Sequence, residues 1–213
     1  MNTMDLSDKQ DYIVSGLFEG LEKIMTGKSL QNFRDHLKTW KAYVQSRDGI
    51  FLISRRFNLS AVRTHFLAYY SNQPTTGQNL WSLKGIKEEE AKILTLWFNS
   101  SLNLLQVYLQ RMETGGTWME INSGMINDFF IPNVDLLSLD EKSSLLKLFE
   151  SLKNTPFMSI LDQLKTSFAP RKEIDLAILR LVGYSTNDAN RYLDSLYPAL
   201  AKEIEKLTLM LKK

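Results

Sequence analysis

The 213-residue chain reads as an α+β fold, a mixed set of central β strands held between helical segments at both ends. Three observations predict it. Apolar residues recur at steps of three and four towards both termini, the spacing of one helix face. Through the middle, short apolar or alternating runs are bounded by Gly, Pro, Asn and Ser, as strands are. After Pro156 the strand signals stop, and no internal repeat or low-complexity tract suggests another architecture. The implied division is an N-terminal helical segment over 1–48, an α+β domain over 49–155 and a C-terminal helical segment over 156–213.

Ser7 and Gln10 have capping-box spacing, and Ile13, Leu17, Leu21 and Ile24 follow helically until Gly27 stops the helix. Ser29 caps a second helix, in which Leu30, Phe33, Leu37, Trp40 and Val44 share a face and Arg34, Lys38 and Lys41 lie opposite; Gly49 ends it. "IFLIS" is a buried strand. The alternation Val62, Thr64, Phe66, Ala68, Tyr70 predicts another, closed by the loop "SNQPTTGQN", and "NLWSLK" predicts a third. The longest helix is expected from Lys87 to Met112, since Ile93, Trp97, Ser101, Leu104 and Tyr108 fall on one face with no proline between them. Gly115 and Gly116 follow it where a helix end favours a left-handed residue. A strand over Thr117–Asn122 and an extended "DFFIPNVDLLS" come next. The alternation assigns Trp118 to the core, with packing against a sugar as its other role. Ser138 and Glu141 form a capping box for a helix burying Leu145, Leu148 and Leu152, ended before Pro156. Helices around Phe157–Phe168, over Lys172–Val182 with Gly183 as its stop, and over Thr186–Leu211 complete the chain. Pro198 is expected to kink or split the last one, whose Leu193, Leu196, Leu200, Ile204, Leu207 and Leu211 form an apolar stripe.

The composition bounds the chemistry. Hydrophobic residues make up 44% of the chain, enough for an ordinary core, and 26 Lys+Arg against 24 Asp+Glu leave a net charge of +2. The distribution is uneven: Arg34, Lys38, Lys41, Arg47, Arg55, Arg56 and Arg63 face only Asp35 and Asp48 across residues 30–66, a local balance of +5. The absence of cysteine excludes disulfides, thiolate metal sites and cysteine nucleophiles. "MNTMDLSDKQDY" lacks the basic start and apolar run of a secretory signal, and a cytoplasmic location is expected. Ile93–Gln110 carries no formal charge, but Asn99, Ser100, Ser101, Asn103, Gln106 and Gln110 predict a buried helix with a wet edge and no membrane span.

Catalysis needs a positioned acid, base, nucleophile or metal, and the supply is thin. His36 and His65 sit in different elements without ligand spacing; His36 reads as solvated, and His65 as structural or DNA-facing ahead of general base chemistry. Glu88, Glu89 and Glu90 open a helix, where its dipole favours negative charge. The glycine pair in "RMETGGTWMEIN" is no phosphate cradle, because the order is helix, glycines, strand and no helix amino terminus faces the loop from downstream. It is a corner. A corner can still lie along a DNA backbone, where Arg111, Thr114, Thr117 and the bare amides of Gly115 and Gly116 suit phosphate oxygens.

The order "LWFNSSL", "RMETGGTWMEIN", "INDFFIPNVDLLSLDEKSSLLKLFESL" resembles the target-recognition region of DNA adenine-specific N6 methyltransferases and of type I restriction-modification specificity modules. The upstream "GIFLISRRFNLS" resembles the strand opening such modules, and "IDLAILRLVGYSTNDANRYLDSLYPALAKEIEKL" the helical end of fused adenine methyltransferases. The resemblance covers roughly residues 49–211. Asn99 and Ser100 match its helical pair, Gly115 and Gly116 its turn, Ile131 and Pro132 its exit strand; these are scaffold positions, since base readers vary with the sequence recognised. The family's catalytic domain carries a glycine-containing loop for S-adenosylmethionine and an Asn-Pro-Pro-Tyr type motif, and the chain has neither: "SNQPTTG" has Asn72 and Pro74 but no second proline and no aromatic. The resemblance therefore implies a recognition part without the methylating part, either a separate subunit or a carboxy-terminal region. It implies no cofactor in this chain, S-adenosylmethionine on a catalytic domain absent from it, and as partners duplex DNA and a methyltransferase catalytic domain or subunit.

On that reading the basic segment and the strands after it form the DNA face. Arg55 and Arg56, adjacent on a strand, are expected to point to opposite sides, while Arg63 and His65 share a face. Tyr70, Asn72 and Gln73 cluster in the next loop, and Asn and Gln can bond adenine bidentately. The alternative is a helical protein-interaction adaptor without DNA binding, docking a partner helix on its leucine-striped end. A winged-helix regulator ranks below both, and a free-standing hydrolase last.

Overall fold

The computed structural model describes residues 2–6, 26–110 and 118–210, and within the first of its helices only part of the side chains. The helix expected from Ser7 to Gly27 thus lies outside the described residues apart from Thr26 and Gly27, as do Arg111, Met112, Thr114, Gly115, Gly116, Thr117 and Leu211. The class is α+β, with eight α-helices among the described residues and small antiparallel sheets between helical ends.

Helix α1, Gly27–Gln45, forms where the apolar spacing predicts but begins two residues before Ser29, the expected cap, which therefore lies within its first turn. Gly27, φ 57°, stands at its first residue in the left-handed region that suits a junction. Strand β1, Gly49–Ser54, is the centre of a three-stranded antiparallel sheet with β3, Ala68–Thr75, on one side and β4, Leu80–Leu83, on the other. Phe51, Leu52 and Ile53 are wholly buried because both edges of β1 are paired and both faces covered. Gly49 is obligatory here: a Cβ would lie 2.5 Å from the Leu83 carbonyl oxygen.

The strand expected from Val62 starts six residues later. Asn58 Oδ1 accepts from Ser60 N at 2.9 Å and Ser60 Oγ at 2.7 Å, closing a side-chain turn that outweighs the alternation, and Val62 is 77% exposed. Conversely, "SNQPT" continues the strand instead of closing it. Its register with β1 jumps from Phe51↔Tyr70 to Gly49↔Thr75, leaving Ser71 to Pro74 as a bulge that tolerates the proline.

The expected Lys87–Met112 helix is two helices, α2 over Glu88–Phe98 and α3 over Ser101–Gln110. The break falls at Asn99 and Ser100. Asn99, Ser100, Ser101 and Asn103 are buried, so the expected wet edge is an internal polar seam. Strand β5, Met119–Glu120, pairs with β2, Arg56–Phe57, as a two-residue ribbon. Met119 and Ile121 take its core face, and Trp118, expected in the core, is 55% exposed because the period-two phase is the opposite one.

"DFFIPNVDLLS" joins no sheet. Asn122 caps a short helix α4, Ser123–Asp128, by accepting from Met125 N at 3.0 Å, and a 3-10 turn covers Val134–Leu136. Helix α5, Leu139–Leu152, has the expected Ser138–Glu141 capping box and buries Leu145, Phe149 and Leu152, with Leu148 half-buried. Helices α6, Ile160–Lys165, α7, Ala169–Leu181, and α8, Thr186–Met210, follow. Gly183 ends α7 at φ 92°, and α8 runs through Pro198 without splitting. Leu193, Leu200, Ile204 and Leu207 are buried and Leu196 packs against them. One continuous core reaches from Met4 to Leu207.

Candidate nucleic-acid interface

The β2–β5 ribbon presents the densest polar constellation near the basic segment. The backbone bends at Arg55, whose N donates to Asn79 O (2.8 Å) and whose O accepts from Ile121 N (2.8 Å). That bend overturns the expected opposition of Arg55 and Arg56. Both guanidiniums reach Glu120: Arg55 Nε and Nη2 lie 3.1 and 3.0 Å from Oε1, and Arg56 Nε lies 3.6 Å from Oε2. The arginine side chains are 44% and 54% exposed and Glu120 26%, so two cations share one carboxylate at the surface. The Arg55 guanidinium also covers the Trp81 ring at 5.1 Å, while Trp81 Nε1 donates to Ile121 O at 2.8 Å. A stacked, pre-oriented guanidinium is the geometry suited to a planar acceptor or a phosphate.

Beside the ribbon, a cleft of about 240 Å³ is lined by Ser46, Arg47, Arg55, Thr76, Gly77, Gln78, Leu80, Trp81 and Ser82. Two guanidiniums, hydroxyls and an aromatic face line it, and one of the two, Arg55, is the guanidinium already paired with Glu120. Asn72 and Gln73 are exposed on the β3 bulge, on the strand and not in a loop as expected; Ser71 Oγ steadies the bulge by donating to Gln73 O at 2.7 Å.

Other expected readers lie elsewhere. Tyr70 is buried, with its ring 5.5 Å from Phe149 and 5.3 Å from Lys92 Nζ, and offers no edge to a base. Burial, then the Glu88 charge, pushes its hydroxyl pKa up to about 12. Arg63 is exposed on the turn that replaces the expected strand, so Arg63 and His65 do not project together from a sheet. His65 is held by its backbone, accepting at O from Gln163 Nε2 (2.9 Å), and its buried Nδ1 has no hydrogen-bond partner among the described residues. The residues missed in the sequence are Glu120 and Trp81. Both lie on short strands, and only the β2–β5 pairing brings Glu120 across 65 positions to Arg55.

Behind the ribbon, the break between α2 and α3 is a polar hub. Asn99 Oδ1 accepts from Leu67 N (2.8 Å) and Ala68 N (3.2 Å), and its Nδ2 donates to Ala68 O (2.8 Å) and Thr95 O (3.0 Å). The carboxamide acts as one peptide unit of a further strand on the open edge of β3. Further along that edge, Met4 and Leu6 bond Tyr70. Asp175 caps α3, accepting from Ser101 N and Oγ at 2.6 Å each and from the Tyr197 hydroxyl at 2.7 Å. Arg171 closes the network on Ser101 Oγ and Gln163 Oε1. Burial and the Asp175 charge push the Tyr197 hydroxyl up, keeping it a donor. These buried groups are all paired, so the hub fixes α6, α7 and α8 against the sheet and leaves no free acid or base.

The named strands pair antiparallel, a single parallel bridge joins Asp5 to Tyr70 on the β3 edge, and the β4–α2 connection carries Gly85 and opens onto Glu88, Glu89 and Glu90. Among the described residues, no group of three or more His, Asp or Glu could hold a metal ion, and no helix is long and apolar enough to cross a membrane.

No family model and no curated protein matches the sequence. Among solved structures the chain is similar to the type IIG restriction endonuclease BpuSI, at 18% identity and a TM-score of 0.58, over 90% of this chain and 20% of that one. The chain therefore spans about a fifth of that enzyme, and the likeness is one of fold.

Proposed function

We propose that the chain is a DNA sequence-recognition module of a restriction-modification adenine methyltransferase. It binds duplex DNA and positions it for S-adenosylmethionine-dependent N6 methylation by a catalytic domain or subunit outside this chain. The methyl donor belongs to that partner, and the assembly acts in the cytoplasm. The observation that carries the reading is the Arg55–Glu120–Arg56 triad beside a cleft lined by Arg47 and Arg55, on a fold that recurs within a restriction endonuclease. Phosphate contacts position such a module and side chains reaching base edges give specificity. The cleft and the two arginines supply the first kind of group; Asn72 and Gln73 on the bulge supply the second. The corner residues Arg111, Thr114, Gly115, Gly116 and Thr117 belong to the same proposal as backbone contacts.

The test is fluorescence-anisotropy binding to a random duplex pool at about 50 and 200 mM salt, with sequencing of the bound fraction. Steep salt dependence with an enriched sequence is the expected result. Absence of binding at the lower salt refutes the reading.

A further inference from the structure

A groove of about 490 Å³ lies between α5 and α7, away in sequence from every residue of the ribbon. One face of each helix builds it. Leu145 is buried at its base, and Leu148, Leu176, Ala177 and Leu181 pack on the core yet stay half-buried, an apolar floor open to solvent. Asp140, Glu141 and Glu173 stand exposed on the rim against Arg180 alone, whose Nη2 donates to Thr186 Oγ1 at 3.4 Å. Hydrogen bonds from Ser138 hold the Glu141 carboxyl below the usual range, so its charge persists into acid. The apolar surface continues past the helix ends: Leu139 is 84% exposed at the start of α5, and Val182 55% just after α7. Apolar surface gathered in a groove and rimmed by polar groups marks an interaction site, and this rim carries three carboxylates to one guanidinium.

We propose that this groove docks a basic amphipathic helix of a partner protein. Apolar residues at i, i+3 or i+4 and i+7 rest on the leucine floor, and Lys or Arg on its flanks meets Asp140, Glu141 and Glu173. The rim's sign repels nucleic acid, so this surface and the arginine ribbon take different partners. The inference does not depend on the DNA reading.

The test uses the full chain and two fluorescein-labelled peptides of about 18 residues, long enough to form a helix on binding. One is an idealised Leu/Lys amphipathic helix, and the other is its twin with every Lys changed to Glu. The Lys peptide is expected to bind and the Glu peptide not. Asp140→Lys with Glu173→Lys, compared at a checked melting transition because Asp140 lies in the first turn of α5, should weaken binding at least about tenfold, or about 1.4 kcal/mol. Leu148→Asp should do the same, with circular dichroism verifying the fold. Equal binding of both peptides, no binding of either, or indifference to the rim reversal overturns the proposal. So does a concentration-dependent dimer in sedimentation that Leu148→Asp abolishes, which assigns the groove to a second copy.

Discussion

Removing the carboxylate that two arginines share separates a DNA-contacting ribbon from a merely structural ion pair. In the triad, Arg55 holds Glu120 through Nε and Nη2 and lies over Trp81, whereas Arg56 reaches it through Nε alone at 3.6 Å and is the more exposed. Each guanidinium that neutralises a phosphate steepens the fall of log K against log salt by about 0.9. Between about 50 and 200 mM salt this is about 3.5-fold in affinity for one contact and about 12-fold for two. Arg56→Ala should therefore remove about 3.5-fold of the salt effect, and Arg55→Ala with Arg56→Ala about 12-fold. Glu120→Gln leaves both cations without their competitor, so duplex binding at low salt should tighten and the slope should not fall. The assay is anisotropy titration of one labelled duplex across salt, on variants whose melting transitions have been checked. An unchanged slope in the double arginine variant, or weaker binding by folded Glu120→Gln, would refute the reasoning. If Glu120→Gln loses the fold, the triad is structural.

Further outcomes follow from the same geometry. Asn99→Ala takes the partner from Leu67 N, Ala68 N and Ala68 O; at about 1 kcal/mol each it should cost at least about 3 kcal/mol in chemical denaturation, and a loss below about 1 kcal/mol would contradict the strand-mimic role. Lys92→Met removes pairs to Glu88 (2.8 Å) and Glu150 (2.7 Å). Burial opposes the Lys92 charge, but the hydrogen bonds it donates to Glu150 and Glu88 outweigh it and raise its pKa, while the bond accepted from Lys92 lowers Glu88 and those accepted from Lys153 and then Lys92 lower Glu150. The lysine's contribution is complete below its ordinary pKa and lost as pH rises through the raised one. The glutamates' contribution is present above the ordinary carboxylate pKa and lost as pH falls through the lowered ones. The stability gap between wild type and Lys92→Met should therefore be flat across neutral pH and close in acid, and a gap unchanged in acid urea melts would sink this account. Ser138→Ala breaks the capping box of α5 and should cost about 1 kcal/mol, read as a lowered denaturation midpoint with an unchanged slope.

The sequence by itself determined the class and most of the helices, because periodicity and capping are local. The 3.6 spacing before Gly49 and after Pro156, the Ser138–Glu141 box and the left-handed stop at Gly183 need no distant partner. The continuous run "IFLIS" likewise marked the central strand. Only the tertiary structure decided where local signals competed or were incomplete. The alternation from Val62 yielded to the Asn58 turn. An unbroken apolar face hid the helix break at Asn99, whose energy comes from hydrogen bonds to residues 31 and 32 positions away. Trp118 changed sides because a two-residue strand has too little length to fix its phase without a partner. The candidate site was half legible: Arg55, Arg56, Asn72 and Gln73 were in view as basic or amide groups near strands. Tyr70 was misplaced because its contacts with Phe149 and Lys92 belong to other elements. Glu120, which sets the charge of the whole ribbon, becomes a partner of the arginines only when β5 folds onto β2. Composition reports how much charge a segment carries; which charges are cancelled depends on distances of a few ångströms between residues far apart in the chain.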